Sequence, residues 1–461
     1  MPIHSARAQR WRAVVADWWA DAWRWVLMAA GMAIVVYLLL QRNAPNAVAT
    51  SAAVAGLVVG VALTGSKPMA IALMSLPALF ITERMGFGAG ALSVSDVALA
   101  AGFGTAVLLG DRSYSRPLRV LLVANLFYQF ATLFTVIVNP QTANTVEWFH
   151  AWLLVSGALI LGWALGRGGY ARTALALMVL ATLVLAAGTI FTGLFGHYLR
   201  GDFQPIYPTW PWEMHKNAAA TLMSFGLLIL YIRPPWARFP RRTAWTGIVV
   251  LATAIIMTQS RQALIGLIVA ILIVVARGGK TGHSRWTFLL AIPGIWLVVV
   301  TVIEQIESQN EFNSFFQRLD WMRELYALWK LAPIFGHGLR FWYYNPSVPY
   351  QPPQAEFEVA TSSGIVGLVG FAAMWIVIVI VLWRVDPLYG TLALAATFSR
   401  LVQAQFDLFW VAAQVSVPFA IAGICLGAMA RDTSQQPEIV ENPAVRSPDQ
   451  EQAIVRSEHR S

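Results

Sequence analysis

Long apolar runs separated by short polar segments dominate the chain. Most runs are about 17 to 22 residues long, enough for an α-helix to cross the roughly 30 Å hydrocarbon core of a bilayer. The pattern predicts an all-α fold, a polytopic transmembrane helical bundle of about 12–14 spans. The predicted spans lie near residues 25–41, 47–65, 68–82, 93–110, 118–138, 147–166, 171–194, 217–232, 243–259, 262–276, 286–303, 364–383, 388–403 and 409–429.

The spans and the segments between them divide the chain into five regions. In the first region, Trp11, Val15 and Trp18 share one helical face, which is typical of a helix lying among lipid headgroups. The regions are a cytoplasmic or interfacial N-terminal segment (1–24), transmembrane helices 1–11 (25–303), a large extracytoplasmic loop (304–363), the C-terminal transmembrane helices (364–430) and a disordered cytoplasmic tail (431–461).

The large outer loop is expected to contain an amphipathic helix. Between Ser314 and Leu331, apolar residues recur at three- and four-residue steps. Ser314 is a suitable N-cap, and Pro333 limits any continuation of the helix. A loop of this size is uncommon unless it serves a function.

Composition and charge exclude several classes of protein. Only 12% of the residues are charged, against about 25% in a typical soluble domain. The single cysteine, Cys425, lies inside an apolar run, so neither a disulfide nor a thiolate metal cluster can form. The net charge of +9 is explained by basic cytoplasmic loops and anionic lipid, so we expect no nucleic-acid partner.

The distribution of Lys and Arg predicts that both termini are cytoplasmic, because the outer segments carry about half as many cations as the inner ones. The outer cations accompany other polar groups in four constellations, which are His215-Lys216-Asn217, Thr258 to Gln262 around Arg261, Arg318 and Trp321 followed by Gly336, Gly338 and Arg340, and Glu356 and Glu358 before Gly364. Each has a plainer alternative: an interfacial flank, a snorkelling arginine, or a surface partner for a nearby carboxylate.

The order of these motifs resembles the O-antigen ligase/polymerase family of bacterial cell-envelope glycosyltransferases. The resemblance covers Trp212 to Gly367. Its elements are His215-Lys216-Asn217, Ser260-Arg261, Arg318-x-x-Trp321, Pro333-Ile-Phe-Gly336-His-Gly338 and Gly364-Ile-Val-Gly367-Leu368. In one respect the chain departs from the family, which carries a His-Asn pair where this sequence has Pro353 and Gln354. The family's His is regarded as the base or acceptor-activating group. Two alternatives stay open: the role moves to Glu356, Glu358 or another His such as His215 or His337, or the chain belongs to a divergent branch with altered chemistry.

The resemblance implies transfer of a glycan from a polyprenyl-diphosphate carrier to a glycan, lipid or wall acceptor hydroxyl, at the outer face of the bacterial cytoplasmic (inner) membrane. Arginine suits diphosphate because its planar fork binds phosphate bidentately. The predicted diphosphate-binding residues are His215, Lys216, Arg261, Arg318 and Arg340; the candidate catalytic residues are Glu356, Glu358 and His337; the candidate glycan-stacking residues are Trp210, Trp212, Trp321 and Trp342.

No cofactor is expected, and a metal-independent transfer is predicted, because the outer loops contain no Asp-x-Asp pair or metal-ligand spacing. His337 lies between two glycines, where a structural role is favoured over a catalytic one. Two other classes stay open: a lipid-linked glycan flippase or other polysaccharide exporter, and a structural assembly partner. The absence of internal symmetry disfavours the transporter.

Overall fold

The computed structural model describes residues 3–40, most of 51–62, 69–85, 92–278, single positions between 292 and 303, 314–345 and 354–435. Most of these residues are helical. The helices are α1 (Ile3–Leu40), α2 (Met69–Ala78), α3 (Val94–Leu109), α4 (Arg116–Val138), α5 (Thr142–Arg167), α6 (Ala171–Gly196), α7 (Lys216–Ile232), α8 (Arg241–Thr258), α9 (Arg261–Ala276), α10 (Ser314–Leu331), α11 (Phe341–Tyr344), α12 (Ala355–Arg384), α13 (Pro387–Gln403) and α14 (Ala412–Gln435).

Short non-α elements connect or interrupt the helices. Two antiparallel strands, β1 (Arg84–Met85) and β2 (Leu92–Ser93), precede α3. Single 3₁₀ turns lie at Tyr198–Arg200 and Pro235–Ala237. Within α5, residues Leu153–Gly157 form a π-helical turn, a feature that is frequent at functional sites.

The helices confirm the all-α polytopic membrane fold. Within the described ranges, five helices are long and apolar enough to cross a membrane, or six if the bent α1 is one span. Four shorter apolar helices, α2, α3, α7 and α9, also match predicted spans. On α4, Val123, Phe130 and Ile137 lie seven residues apart and are exposed, as expected of a face toward lipid. The predicted span at 286–303 lies almost entirely outside the described residues.

The structure changes one predicted boundary. Helix α12 begins at Ala355, whereas the sequence placed the end of the outer loop at residue 363. The predicted boundary coincides instead with a break inside α12, where Gly364 has a non-helical backbone with φ of 65°. Glu356 and Glu358 therefore lie in the first turn of a helix rather than in the loop.

Two pairs of glycines hold the centre of the bundle together. Gly162 of α5 is so close to α14 that an added Cβ would lie 2.1 Å from the carbonyl oxygen of Ala420. Gly423 of α14 is equally close to α5, 2.3 Å from the carbonyl oxygen of Leu159. Gly166 and Gly427 repeat this contact one turn along. The small-xxx-small spacing on both helices allows their backbones to come into contact. Such close packing stabilises helix association in a bilayer, where the hydrophobic effect does not drive helices together.

Candidate active site

Two helices begin side by side at the first polar cluster. His215 caps the N-terminus of α7, and Ser260 precedes the N-terminus of α9. The Ser260 hydroxyl donates a 3.0 Å hydrogen bond to Oδ1 of Asn217 and so ties the two helix starts together. The free N–H groups of a first helical turn and the helix dipole both favour an anion at such a place.

The cations at these two helix starts are close to one another. Lys216 and Arg261 lie near enough for their charges to interact, and the Lys216 ammonium is 5.8 Å from the centroid of the Tyr207 ring. The Tyr207 ring also packs edge-on against His215 at 5.3 Å. We call His215, Lys216 and Arg261 the basic cluster. Like charges are held together here beside two positive helix ends.

A carboxylate borders the basic cluster. Oδ2 of Asp407 accepts a 2.7 Å hydrogen bond from Nε2 of Gln262, the residue after Arg261. Desolvation lowers the pKa of His215 below its ordinary value; the nearby Asp407 charge opposes this shift and the Lys216 charge adds to it. His215 is therefore mostly neutral at pH 7 and can gain a charge on acidification.

The irregular segment 404–411 separates α13 from α14 and carries Asp407. Arg400, whose side chain is fully buried, holds this segment in place. Its guanidinium donates to the carbonyl oxygens of Leu408 and Phe409 and, at 2.7 Å, to Oε1 of Gln414. The segment in turn positions Glu358, because the Phe409 N–H donates a 2.9 Å hydrogen bond to Oε2 of Glu358.

On the Glu358 side of segment 404–411 lies a cavity of about 150 Å³, which we call the polar cavity. Its wall combines residues from the β1–β2 region, α3, α4, α5, the outer loop, α12 and the 404–411 segment. Three carboxylates (Asp96, Glu147 and Glu358) face it together with Arg84, Arg340 and His150, and hydroxyl and aromatic groups complete the wall.

Four charged groups of the polar cavity form a continuous chain of contacts. Nε of Arg340 donates to Oε2 of Glu147 at 2.5 Å. Nδ1 of His150 is 3.4 Å from the other oxygen of Glu147, and its Nε2 is 2.9 Å from Oδ1 of Asp96. All four side chains are at most 10% exposed. Pairing of this kind is what permits charges to be buried.

Backbone hydrogen bonds between two sequence motifs, which we call the glycine clasp, position Arg340 within this series of paired charges. The N–H groups of His337 and Gly338 donate to the carbonyl oxygens of Thr361 and Ser362, and the Ile365 N–H donates to the carbonyl oxygen of Pro333. A Cβ at Gly364, whose φ is 65°, would lie 2.2 Å from the carbonyl oxygen of Ile334. The motif glycines thus serve a close contact between the outer loop and the break in α12.

The predicted diphosphate-binding residues divide between the two sites. His215, Lys216 and Arg261 come together, as described above. Arg340 lies in the polar cavity, where its guanidinium bonds Glu147, and is not part of the basic cluster. Arg318 lies on α10, in a stretch whose side chains fall outside the described residues.

The three candidate catalytic residues lie in different surroundings. Glu358 is buried and faces the polar cavity. Glu356 accepts hydrogen bonds of 2.7 and 2.8 Å from the amides of Gln354 and Gln405. His337 lies against α10, where Nε2 donates to the carbonyl oxygen of Leu328 at 2.8 Å, an arrangement that suits the structural role favoured from the sequence.

The position of the family's His-Asn pair is only partly described. Pro353 lies outside the described residues. Gln354 is the N-cap of α12, and its Oε1 accepts a 2.9 Å hydrogen bond from the Phe357 N–H. The second residue of the pair therefore serves here to start the helix that carries Glu356 and Glu358.

Burial separates the candidate glycan-stacking residues. Trp210 is 50% exposed, whereas Trp212 and Trp342 are buried and present their ring faces to protein. Trp321 is half-buried on α10. A further aromatic group, Trp410, was not predicted; it lines the polar cavity and stacks on Tyr128 with ring centroids 5.4 Å apart.

Asp96, Glu147, His150 and Asp407 were also missed from the sequence. The signal was present, because Asp96, Glu147 and His150 fall inside predicted spans. An ionisable residue within an apolar span is costly and usually functional. Asp407 lies between the predicted spans 388–403 and 409–429, so the cost of a charge inside a span does not mark it.

A family model matches the middle of the chain. Residues 246–372 match the family model described as O-antigen ligase. The match covers 127 of the 461 residues and supports membership of the O-antigen ligase family. The matched range includes Arg261, Arg340, Glu358 and both halves of the glycine clasp. No curated protein matches the chain at a significant level.

The matched domain indicates the broad activity. Together with the apolar helices, it supports a multi-pass bacterial membrane protein of the ligase/polymerase glycosyltransferase type, with a role in polysaccharide biosynthesis. The family therefore favours the enzyme over the exporter that the sequence had left open.

Proposed function

We propose that the protein transfers a glycan from a polyprenyl-diphosphate carrier to an acceptor hydroxyl at the outer face of the bacterial cytoplasmic membrane, with both termini in the cytoplasm. The observation that carries the proposal is the pairing of two helix N-termini that bear Lys216 and Arg261. Two helix ends and two cations match the charge of a diphosphate diester, whose leaving-group charge grows during transfer.

In this proposal the basic cluster binds the diphosphate, and Arg318 of α10 joins it. The acceptor oxygen attacks the anomeric carbon of the donor sugar and forms the new C–O bond. The bond from that carbon to the diphosphate oxygen breaks, and the diphosphate leaves with the electron pair. Because Lys216 and Arg261 supply the positive charge that a metal would otherwise contribute, we propose a metal-independent reaction.

Of the two glutamates, Glu358 is the better candidate for the base that takes the acceptor proton. Its carboxylate faces the polar cavity, and the Phe409 N–H fixes its orientation. Both oxygens of Glu356 already accept hydrogen bonds from side-chain amides. A base must lie within hydrogen-bond reach of the hydroxyl that it deprotonates, so the glutamate that lines the cavity is favoured.

Binding of the diphosphate by the basic cluster, which we call the clamp, is tested by measuring glycan transfer with Arg261→Ala in membranes. We expect transfer to be lost while the amount of inserted protein stays near that of the wild type. Arg242→Ala is the matched control, because Arg242 is an exposed arginine on α8 and outside both sites. Wild-type transfer by Arg261→Ala would overturn the clamp.

The base is tested by Glu358→Gln and Glu356→Gln. Glutamine keeps an acceptor for the Phe409 N–H but cannot take a proton, so Glu358→Gln should lower kcat by about 100-fold or more. Glu356→Gln should have a smaller effect. The reverse ranking would assign the base to Glu356, and full activity of the double variant would exclude both.

A further inference from the structure

We infer that the polar cavity binds an uncharged sugar ring of the acceptor glycan. This inference rests on the proposed glycosyl transfer and gives that reaction its second binding site. It starts from the position of the cavity, which lies across segment 404–411 from the basic cluster. Asp407 on one side and Glu358 on the other both interact electrostatically with the same residue, Arg400.

The charge of the cavity argues against an anionic ligand. Arg340 is bonded to Glu147, and His150 contacts both Glu147 and Asp96. The carboxylates of the wall therefore offset its cations. A diphosphate gains little in such a place, whereas a neutral polyol can hydrogen-bond to fixed carboxylates and guanidinium groups without displacing any charge.

The remaining wall has the chemistry of a sugar site. Ser93, Ser95 and Thr132 bring hydroxyl groups to the cavity, and Trp410 and Tyr343 bring aromatic rings. Sugar rings combine hydroxyl edges with apolar C–H faces, so a site with planar charged groups and aromatic rings suits both surfaces. A volume of about 150 Å³ fits a single ring rather than an extended glycan.

The geometry assigns this ring to the acceptor rather than to the donor. The donor sugar is attached to the diphosphate and must lie beside the basic cluster. An acceptor ring in the cavity reaches Glu358, which lies at the cavity wall next to segment 404–411. The acceptor hydroxyl would then meet the donor's anomeric carbon at the boundary between the two sites.

A cavity-filling substitution tests the site directly. Ala412 is partly buried at the start of α14 and lines the cavity, so Ala412→Leu places a larger side chain in the space of the sugar. Ala430→Leu is the matched control, since Ala430 is partly buried near the other end of the same helix. Full-length protein is placed in phosphatidylcholine nanodiscs, which contain no glycoside detergent.

Saturation-transfer NMR with methyl glycosides of glucose and galactose reports binding. We expect transfer to at least one sugar with the wild type and Ala430→Leu, and a signal weaker by about fivefold or more with Ala412→Leu. No signal from the wild type, or an equal signal from Ala412→Leu, would overturn the inference. Retained binding of a short-chain dialkyl diphosphate shows that a variant is folded; if Ala412→Leu fails this check, Ala412→Val replaces it.

Transfer kinetics distinguish a sugar ring of the acceptor from a sugar ring of the donor. Ala412→Leu should raise KM for the acceptor and leave KM for the lipid-linked donor unchanged. A rise in donor KM alone would assign the ring to the donor and contradict the inference. Failure of the diphosphate clamp would be detected separately, because Arg261→Ala would then bind dialkyl diphosphate as tightly as the wild type does.

Discussion

The basic cluster and the polar cavity lie on either side of the irregular segment 404–411, yet their charges are arranged differently. In the cavity, Arg340 is bonded to Glu147 and His150 to Asp96, all deeply buried. In the basic cluster, Lys216 and Arg261 lie near each other at two positive helix ends. The ion pairs maintain the shape of the cavity, whereas Lys216 and Arg261 bring two positive charges together where an anion can bind.

The largest expected effect comes from the glycine clasp, which supports the cavity but not the basic cluster. Gly364→Ala forces a side chain into a left-handed backbone conformation and onto the carbonyl oxygen of Ile334. The two costs together amount to about 2–5 kcal/mol. We expect a lower unfolding temperature and lost glycan transfer. Gly196→Ala is the control, because nothing lies within 4 Å of its added Cβ, and equal behaviour of the two variants would refute the clasp.

Removal of one charge from each site should change stability by very different amounts. Arg340→Met leaves the buried Glu147 without this partner and should lower the free energy of unfolding by about 3–5 kcal/mol. Arg340→Met with Glu147→Leu should recover part of that loss. Lys216→Met removes a repulsion and should change stability by less than about 1 kcal/mol. Denaturant titration in micelles measures all three, and a similar loss for Lys216→Met and Arg340→Met would remove the distinction between the sites.

A smaller effect is expected where the two helix starts are tied together. Ser260→Ala deletes the hydrogen bond to Asn217, which is worth about 1 kcal/mol. The affinity for dialkyl diphosphate should fall by roughly fivefold, since the two helix ends are less well aligned. Thr246→Ala removes a hydroxyl from an exposed face of α8 and should leave the affinity unchanged. Calorimetric titration compares the two, and an unaltered affinity of Ser260→Ala would show that the tie is not used.

The smallest effect concerns pH. Desolvation lowers the pKa of His215 below its ordinary value, so acidification through that pKa adds a positive charge to the basic cluster. A dialkyl diphosphate keeps its charge on mild acidification, and its affinity should rise a few-fold as the pH falls through the pKa of His215. Because the folded pKa is lowered, the same protonation reduces the stability of the ligand-free protein. His215→Gln should flatten the affinity profile; an unchanged slope would exclude His215.

Hydropathy was sufficient to predict most helices, because only a continuous helix satisfies its backbone in a bilayer. The predicted spans 118–138, 171–194 and 217–232 correspond to α4, α6 and α7. The early start of α12 was missed, since the break at Gly364 depends on its contact with Ile334, which is distant in sequence.

The candidate site was predictable only where residues adjacent in sequence act together. His215 and Lys216 follow one another, and Ser260 precedes Arg261, so both helix starts were visible. The pairing of Arg340 with Glu147 joins residues 193 positions apart, and no local pattern specifies it. The polar cavity therefore required the fold, although charged residues inside apolar spans had marked its members.

The central claim is tested most directly by calorimetric titration of a short-chain dialkyl diphosphate into the wild type, Arg261→Ala and Ala412→Leu in nanodiscs. The account predicts that Arg261→Ala loses binding, while Ala412→Leu binds as tightly as the wild type. Wild-type affinity in Arg261→Ala, or an equal loss in Ala412→Leu, would contradict it.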